Sequence, residues 1–290
     1  MDSLEGLKRK IDTAQDLLSV VKTMKGLAAV NIRHLEGAVS SLDEYDRIVD
    51  LGWRALFRSP GTIAPVKQSN QAICLVLGSD QGMCGPFNEV IVDLALEKEK
   101  ELAEKHMEAC FWAVGERVRS GLEERGRTAQ EYFDPPGSLL GMNGKVQLVV
   151  QTFEAWQRGK AVETLHVFFS QLGNGGGYQP LHSRLLPLDR TWLEKYEGQK
   201  WPGTCLPLLG LSWEELLRHL FRQYLFVSLY RVFAQSMASE NAARLNSMQA
   251  AEENILEMEE ELQGKFRETR QAMITEELLD IISGFEAISG

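Results

Sequence analysis

The sequence predicts an α/β protein, in which a small, mostly parallel sheet domain is inserted between two long terminal helices that form an antiparallel coiled coil. Three observations predict it. All nine prolines lie between Pro60 and Pro207, so the first 59 and the last 83 residues contain none. Both proline-free ends carry apolar residues at helical spacing, and between them short apolar runs alternate with amphipathic stretches.

The N-terminal helix is read from Leu4, Leu7, Ile11, Ala14, Leu18, Val21, Met24, Ala28, Ile32, Leu35, Val39, Leu42 and Tyr45, which recur at steps of three or four. Such a stripe follows one face of a helix, and it needs an apolar partner along its length. Proline would remove a backbone donor and clash with the preceding turn, so its absence fits an uninterrupted helix. At the other end Leu245, Met248, Ala251, Ile255, Met258, Leu262, Phe266, Thr269 and Met273 repeat the pattern. Helices of roughly 50 and 70 residues would be on the order of 80 and 110 Å long. Each is the obvious partner for the other.

The middle reads differently. The run Ala72 to Leu77 is a short buried strand followed by a Gly-rich turn and a helix from about Phe87 to Lys105. Cys110 to Val114 is a second strand, Glu116 to Arg125 a helix, Val146 to Arg158 a helix and Leu165 to Phe169 a strand. Leu181 to Leu188 suggests one more strand, and Gly173 to Gly177 is a flexible turn by composition. The expected division is an N-terminal coiled-coil helix at 1–58, an α/β domain at 59–210 and a C-terminal coiled-coil helix at 211–290.

Charge narrows the function classes. The net charge of −10 divides into 0 over residues 1–58, −3 over 59–210 and −7 over 211–290. An acidic balance argues against general nucleic-acid binding, which needs a basic face to displace counterions. Glu252, Glu253, Glu257, Glu259, Glu260 and Glu261 crowd into ten residues and read as a solvated helix face. Four scattered cysteines without a CxxC pair point to a reducing compartment rather than a disulfide framework. The start, Met1 to Glu5, lacks the apolar core of a signal peptide. The most apolar window, Leu220 to Ala234, is broken by Arg222 and Arg231 and is too short for a bilayer. No direct membrane insertion is expected.

Catalytic chemistry is hard to find. The loop Gly78 to Pro86 is Gly-rich and lies between a strand and a helix, where backbone N–H groups can cradle phosphate. Its spacing matches neither GxGxxG nor GxxxxGK[ST], and Glu116 after the second strand is a weak ribose-binding candidate. A tight strand-to-helix turn is the simpler reading. The histidines His34, His106, His166, His182 and His219 do not pair with cysteines or acids at metal-ligand spacing, and His166 reads as a satisfied core residue. No GxSxG elbow occurs. The expectation is no catalytic residue, no cofactor and no metal.

Four motifs point further. Ser239-Glu240-Asn241-Ala242-Ala243-Arg244-Leu245, with Met248 and Asn254, resembles the SEHAARM signature of the gamma subunit of rotary F-type ATP synthases. Arg270-Gln271-Ala272-Met273-Ile274-Thr275-Glu276-Glu277-Leu278 is similar to that family's RQAxITxEL ending. Ser79 to Asn88 resembles its SDRGLCGGFN loop, and Lys22 to Ala29 its ITKAMKMVAA run. The motifs occur in family order across nearly the whole chain.

The resemblance implies a central stalk whose paired terminal helices rotate inside a ring of alpha and beta subunits. Its α/β foot would rest against the epsilon subunit and the membrane c-ring, at the cytoplasmic face of the inner membrane. Torque would pass between ion flow and ATP synthesis, with the catalytic sites in the stator. The matching positions imply ring contacts for Arg244, Gln271 and Thr275, with Arg270 as a neighbour. Met24 matches a position facing the beta subunit, and Arg33 keeps a basic place on the same helix.

Departures from the pattern stand at Asn31 and His34, where basic residues are usual, and at Gln81 for an arginine, Pro86 for a glycine and Asn241 for a histidine. They suggest a divergent branch such as the alternate, second-operon bacterial ATPases. Two other classes compete. A coiled-coil adaptor would explain the helices but not the motifs, and a nucleotide-binding enzyme would have to use the Gly78 to Gly85 loop.

Overall fold

Uninterrupted helical periodicity at the two ends becomes two uninterrupted helices. The computed structural model describes residues 3–58, 70–173, 177–188, 192, 196, 201–202, 205, 207–208 and 210–289, with side chains described as far as 284. Its elements are α1 (Leu4–Phe57), β1 (Gln71–Leu77), α2 (Phe87–Glu104), β2 (Glu108–Val114), α3 (Glu116–Glu124), β3 (Glu131–Phe133), α4 (Leu139–Lys160), β4 (Thr164–Leu172), β5 (Tyr178–Leu186) and α5 (Trp213–Ser289). The terminal helices hold 54 and 77 residues, slightly more than the periodicity implied.

The five strands lie in the order β3–β2–β1–β4–β5. All neighbours are parallel except β4 and β5, which run antiparallel. Helices cover both faces, so the central strands carry apolar residues on both faces over most of their length rather than alternately. On β1, Ile73, Leu75 and Leu77 face one core with Trp112, Phe153, Val167 and the α5 residues Leu225, Leu229 and Phe233. Ala72, Cys74 and Val76 face the other, with Ile91 and Val92 of α2 and Val118 and Leu122 of α3. The chain passes from β3 at one edge, through α4, to β4 on the far side of β1. That reversal of strand order is the doubly wound arrangement.

Three details differ from the sequence expectation. β3 has only three residues, too few to show any periodicity. α4 begins at Leu139 rather than Val146, because Gly141 and Gly144 weaken the helical signal there while buried Met142 anchors the turn. β5 begins at Tyr178 and ends at Leu186, and it accommodates Pro180 because it is an edge strand that need not donate on both sides. Asn174, Gly175 and Gly176 of the expected flexible turn lie outside the described residues, and Gly173 N–H donates to the Gly177 carbonyl at 2.8 Å beside them.

The chain divides into two compact units, one of Met1–Ala28 with Arg244–Gly290 and the other of Ala29–Ala243. In the first, α1 and α5 pack through Ala14, Val21, Met248 and Ile255, with Leu18, Met24 and Ala251 beside them. Gln15 donates to Glu259 at 2.9 Å, and Lys25 pairs with Glu252. In the second, Tyr45 donates to Gln223 at 2.7 Å, and Arg231 binds Asp43 at 3.1 Å and also Asp46. Trp53, Leu56, Tyr196 and Leu220 form an aromatic-rich cluster there. In each unit low numbers on α1 meet high numbers on α5, so the helices run antiparallel. Along α1, Leu7, Ala14, Val21, Ala28 and Leu35 are no more than 9% exposed, one buried residue every seven. That interval is the heptad of a left-handed coiled coil.

Candidate functional site

The Gly-rich loop after β1 is built from its own side chains. Gly78 N–H donates to the Val114 carbonyl at 2.9 Å, so the chain leaves β1 beside the end of β2. Ser79 N–H donates to Asn88 Oδ1 at 2.9 Å, and Asn88 Nδ2 donates back to Ser79 Oγ at 2.9 Å. Asp80 Oδ1 accepts the N–H of Glu116, the first residue of α3, at 2.9 Å. Gly115 takes a φ of +94°, and a Cβ there would stand 2.8 Å from the Ser79 carbonyl. The glycine is required by both conformation and space.

Two backbone donors near the loop are taken by side chains, the Ser79 N–H by Asn88 and the first N–H of α3 by Asp80. Glu116, the ribose candidate, instead accepts from Arg119 at 2.8 Å. The loop is a strand-to-helix turn held by an Asn–Ser–Asp network. Phe87 then buries its ring against Tyr178 at 5.3 Å, beside Cys84 and Ala243. Among the described residues no three His, Cys, Asp or Glu side chains converge as metal ligands would. None of the described helices is long and apolar enough to cross a membrane.

The six residues singled out on the helices do not form one patch. Met24 is half-buried and packs on the Val21–Met248 core, so only part of it faces outward. Arg244 is half-buried on α5. Arg33 is exposed on α1 in the other unit. Arg270, Gln271 and Thr275 are exposed on α5, about 40 Å of helix beyond Arg244. Thr275 Oγ1 donates to the Gln271 backbone carbonyl at 2.9 Å, and both residues are exposed.

The surroundings of Gln271 and Thr275 are more informative than the two residues alone. Met273, Ile274, Leu278, Leu279, Ile281 and Ile282 are between 44% and 68% exposed. The register set by Gln15–Glu259 and Lys25–Glu252 brings the start of α1 opposite about residue 270 of α5. Past that point α5 continues with apolar residues on its surface and no α1 to cover them. Apolar side chains exposed at this density form a contiguous patch of the kind that interaction sites present.

Sequence reasoning missed two features. Leu17, Val20 and Leu27 are 50–60% exposed on α1 and form a second apolar row beside the buried heptad. Their spacing of three and seven was the available signal. The other concerns two departures, which were noted separately as single residues. Asn31 Nδ2 donates to Asn241 Oδ1 at 3.3 Å, and Asn241 Nδ2 donates to the Met237 carbonyl at 2.8 Å. The departures are partners. The acidic run on α5 also resolves: Glu252 and Glu259 turn onto α1, whereas Glu253, Glu257, Glu260 and Glu261 are exposed.

Comparison with known proteins gives one answer. A family model described as ATP synthase matches residues 3–288. An ATP synthase gamma chain of Polynucleobacter necessarius is 27% identical over 297 residues, covering 99% of this chain and 100% of the relative. Among solved structures, the rotor of the Euglena gracilis mitochondrial ATP synthase matches with a TM-score of 0.66 at 14% identity, covering 93% of this chain and 98% of that one. A chain in the OSCP/F1/c-ring assembly of the same enzyme matches with a TM-score of 0.66 at 15% identity, covering 98% and 94%.

Proposed function

The chain belongs to the ATP synthase family as a gamma subunit, the central-stalk component, and we propose that it meets the alpha/beta ring through the exposed apolar end of α5. As a stalk it transmits torque between the membrane ion-translocating ring and the catalytic ring, and it is a peripheral part of a membrane-bound complex. Its partners are the alpha and beta subunits and the c-ring, with epsilon as a further partner at the α/β domain.

The observation that carries the contact reading is the apolar surface from Met273 to Ile282. It starts two residues after Gln271 and flanks Thr275, so these polar groups sit where an apolar sleeve would hold the helix end. Arg270 and Arg244 add charge on the same helix, while Met24 and Arg33 extend the contact along α1. The exposed row Leu17, Val20 and Leu27 belongs to the same bearing surface. Coiled-coil segments at 1–58 and 211–290 form the shaft, and residues 59–210 form the foot.

The chain itself has no catalytic site, cofactor or metal in this reading; ATP chemistry belongs to the ring. The spacing of the Gly78–Pro86 loop, which matches neither phosphate-binding pattern, supports that assignment. The departures at Asn31, His34, Gln81, Pro86 and Asn241 support the alternate, second-operon bacterial branch, at the cytoplasmic face of the inner membrane.

Purification of the native complex tests this reading. The chain is expected with alpha and beta subunits, and cutting α5 before Gly264 is expected to abolish coupled ATPase while the ring still binds nucleotide. A complex whose coupled activity survives that cut contradicts the assigned contact.

A further inference from the structure

The pair His166–His182 has no part in the reading above. His166, on β4, is 5% exposed, and its Nδ1 lies 2.7 Å from Nε2 of His182 on β5. The two rings stack at 4.9 Å, and His182 also stacks on Phe168 at 5.0 Å. One nitrogen donates and the other accepts, so the contact is lost when both imidazoles carry two protons.

The surroundings oppose protonation. Lys98 of α2, Lys105 just past its C-terminal end and Arg184 of β5 all act on the pair as cations. Glu101 is the carboxylate facing His182, and it is already bound to Lys98 at 2.6 Å. Cys74, opposite His166 in the β1–β4 register, is a neutral thiol that burial pushes up to about 12. Burial first, then the charge of His182, lowers His166 to about 3, and burial lowers His182 as well.

We propose that the His166–His182 pair is an acid-sensitive clasp that holds the edge strand β5 and the overlying α2 on the sheet at neutral pH and releases them in acid. β5 is the strand to yield because it is hydrogen-bonded on one side only. The direction follows from linkage. Both folded histidines bind protons less readily than an unfolded histidine, near 6.5, so their contribution is complete above that pH and is lost as pH falls below it. The paired helices of the first unit contain no histidine and supply an internal control.

Hydrogen exchange on the full chain, at about pH 7.5 and about pH 5.5 and corrected for intrinsic rates, tests the clasp. Amides of β5 and α2 are expected to lose protection on the order of 10-fold to 100-fold, while β1, β2 and the first unit stay within about threefold. In His182→Gln, where only the buried His166 still couples to acid, the β5 response is expected to shrink to about tenfold or less. Unchanged protection of β5, equal loss across the whole sheet, or a full response in His182→Gln overturns the proposal. Should that variant fail to fold, imidazole NMR of the wild-type chain decides: two rings neutral until β5 opens support the clasp, and titration of either ring at about 6.5 with β5 intact refutes it.

Discussion

Asp80 at the end of β1 accepts the N–H of Glu116 at 2.9 Å, so the carboxylate of one β–α turn satisfies the helix start of the next. A side chain in this position occupies the place a bound anion would take at a helix N-terminus. Asp80→Ala is therefore expected to cost about 1 kcal/mol of stability, in the range of a lost helix cap. It is expected to leave the isolated chain without measurable nucleotide binding in calorimetry, as in the wild type. Tight nucleotide binding by either protein would revive the enzyme reading of the loop.

Gly115 sets how close the two turns come. Its φ of +94° and its 2.8 Å approach to Ser79 leave no room for a side chain. Gly115→Ala is expected to lose about 2–4 kcal/mol, combining backbone strain with displacement of the Ser79 peptide. Urea unfolding monitored through the buried Trp112 measures it, since Trp112 lies in the sheet core nearby. A loss below 1 kcal/mol, roughly, would show that the turn has slack the geometry denies.

The first unit rests on a narrow seam. Ile255 joins Ala14, Val21 and Met248 in its core and is 9% exposed. Ile255→Ala is expected to cost about 2–4 kcal/mol, with little cavity collapse available between two stiff helices. Hydrogen exchange should place the lost protection in the first unit and leave the sheet strands unchanged. Protection lost equally in β1 and β2 would contradict that assignment.

Asn31 and Asn241 form a coupled pair across the helices of the second unit. Asn31→Ala leaves the Asn241 carbonyl oxygen without this donor, at a cost of about 1 kcal/mol. In a double-mutant cycle with Asn241→Ala the two losses are expected to add to more than the double variant shows, by about 0.5–1 kcal/mol. Strict additivity would mean that the two departures from the family pattern arose side by side without interacting.

Much of this architecture was legible in the residues. Proline absence and apolar steps revealed both terminal helices, and β1, β2 and β4 stood out because strands covered on both faces carry short, nearly continuous apolar runs. β3 was invisible because Glu131–Phe133 is shorter than any pattern. The loop at Ser79 was readable as a turn, yet its partners Asn88 and Glu116 are chosen by the fold rather than by spacing. The exposed end of α5 was not legible. Its apolar steps look alike before and after the point where α1 stops, and only the antiparallel register locates that point. Gln271 and Thr275 were found by motif, whereas Leu17, Val20 and Leu27 required a structure to show which of two apolar rows faces out.

As the rotor of the complex, this chain is expected to turn against the alpha/beta ring. Cys205 is exposed while Cys74, Cys84 and Cys110 are buried, so a thiol-reactive bead can be placed on Cys205 alone. With the alpha/beta ring fixed to a surface, ATP is expected to drive rotation of the bead in one direction, and cutting α5 before Gly264 is expected to stop it. A fixed ring that hydrolyses ATP with the intact chain bound, while a bead on Cys205 stays still, would contradict it.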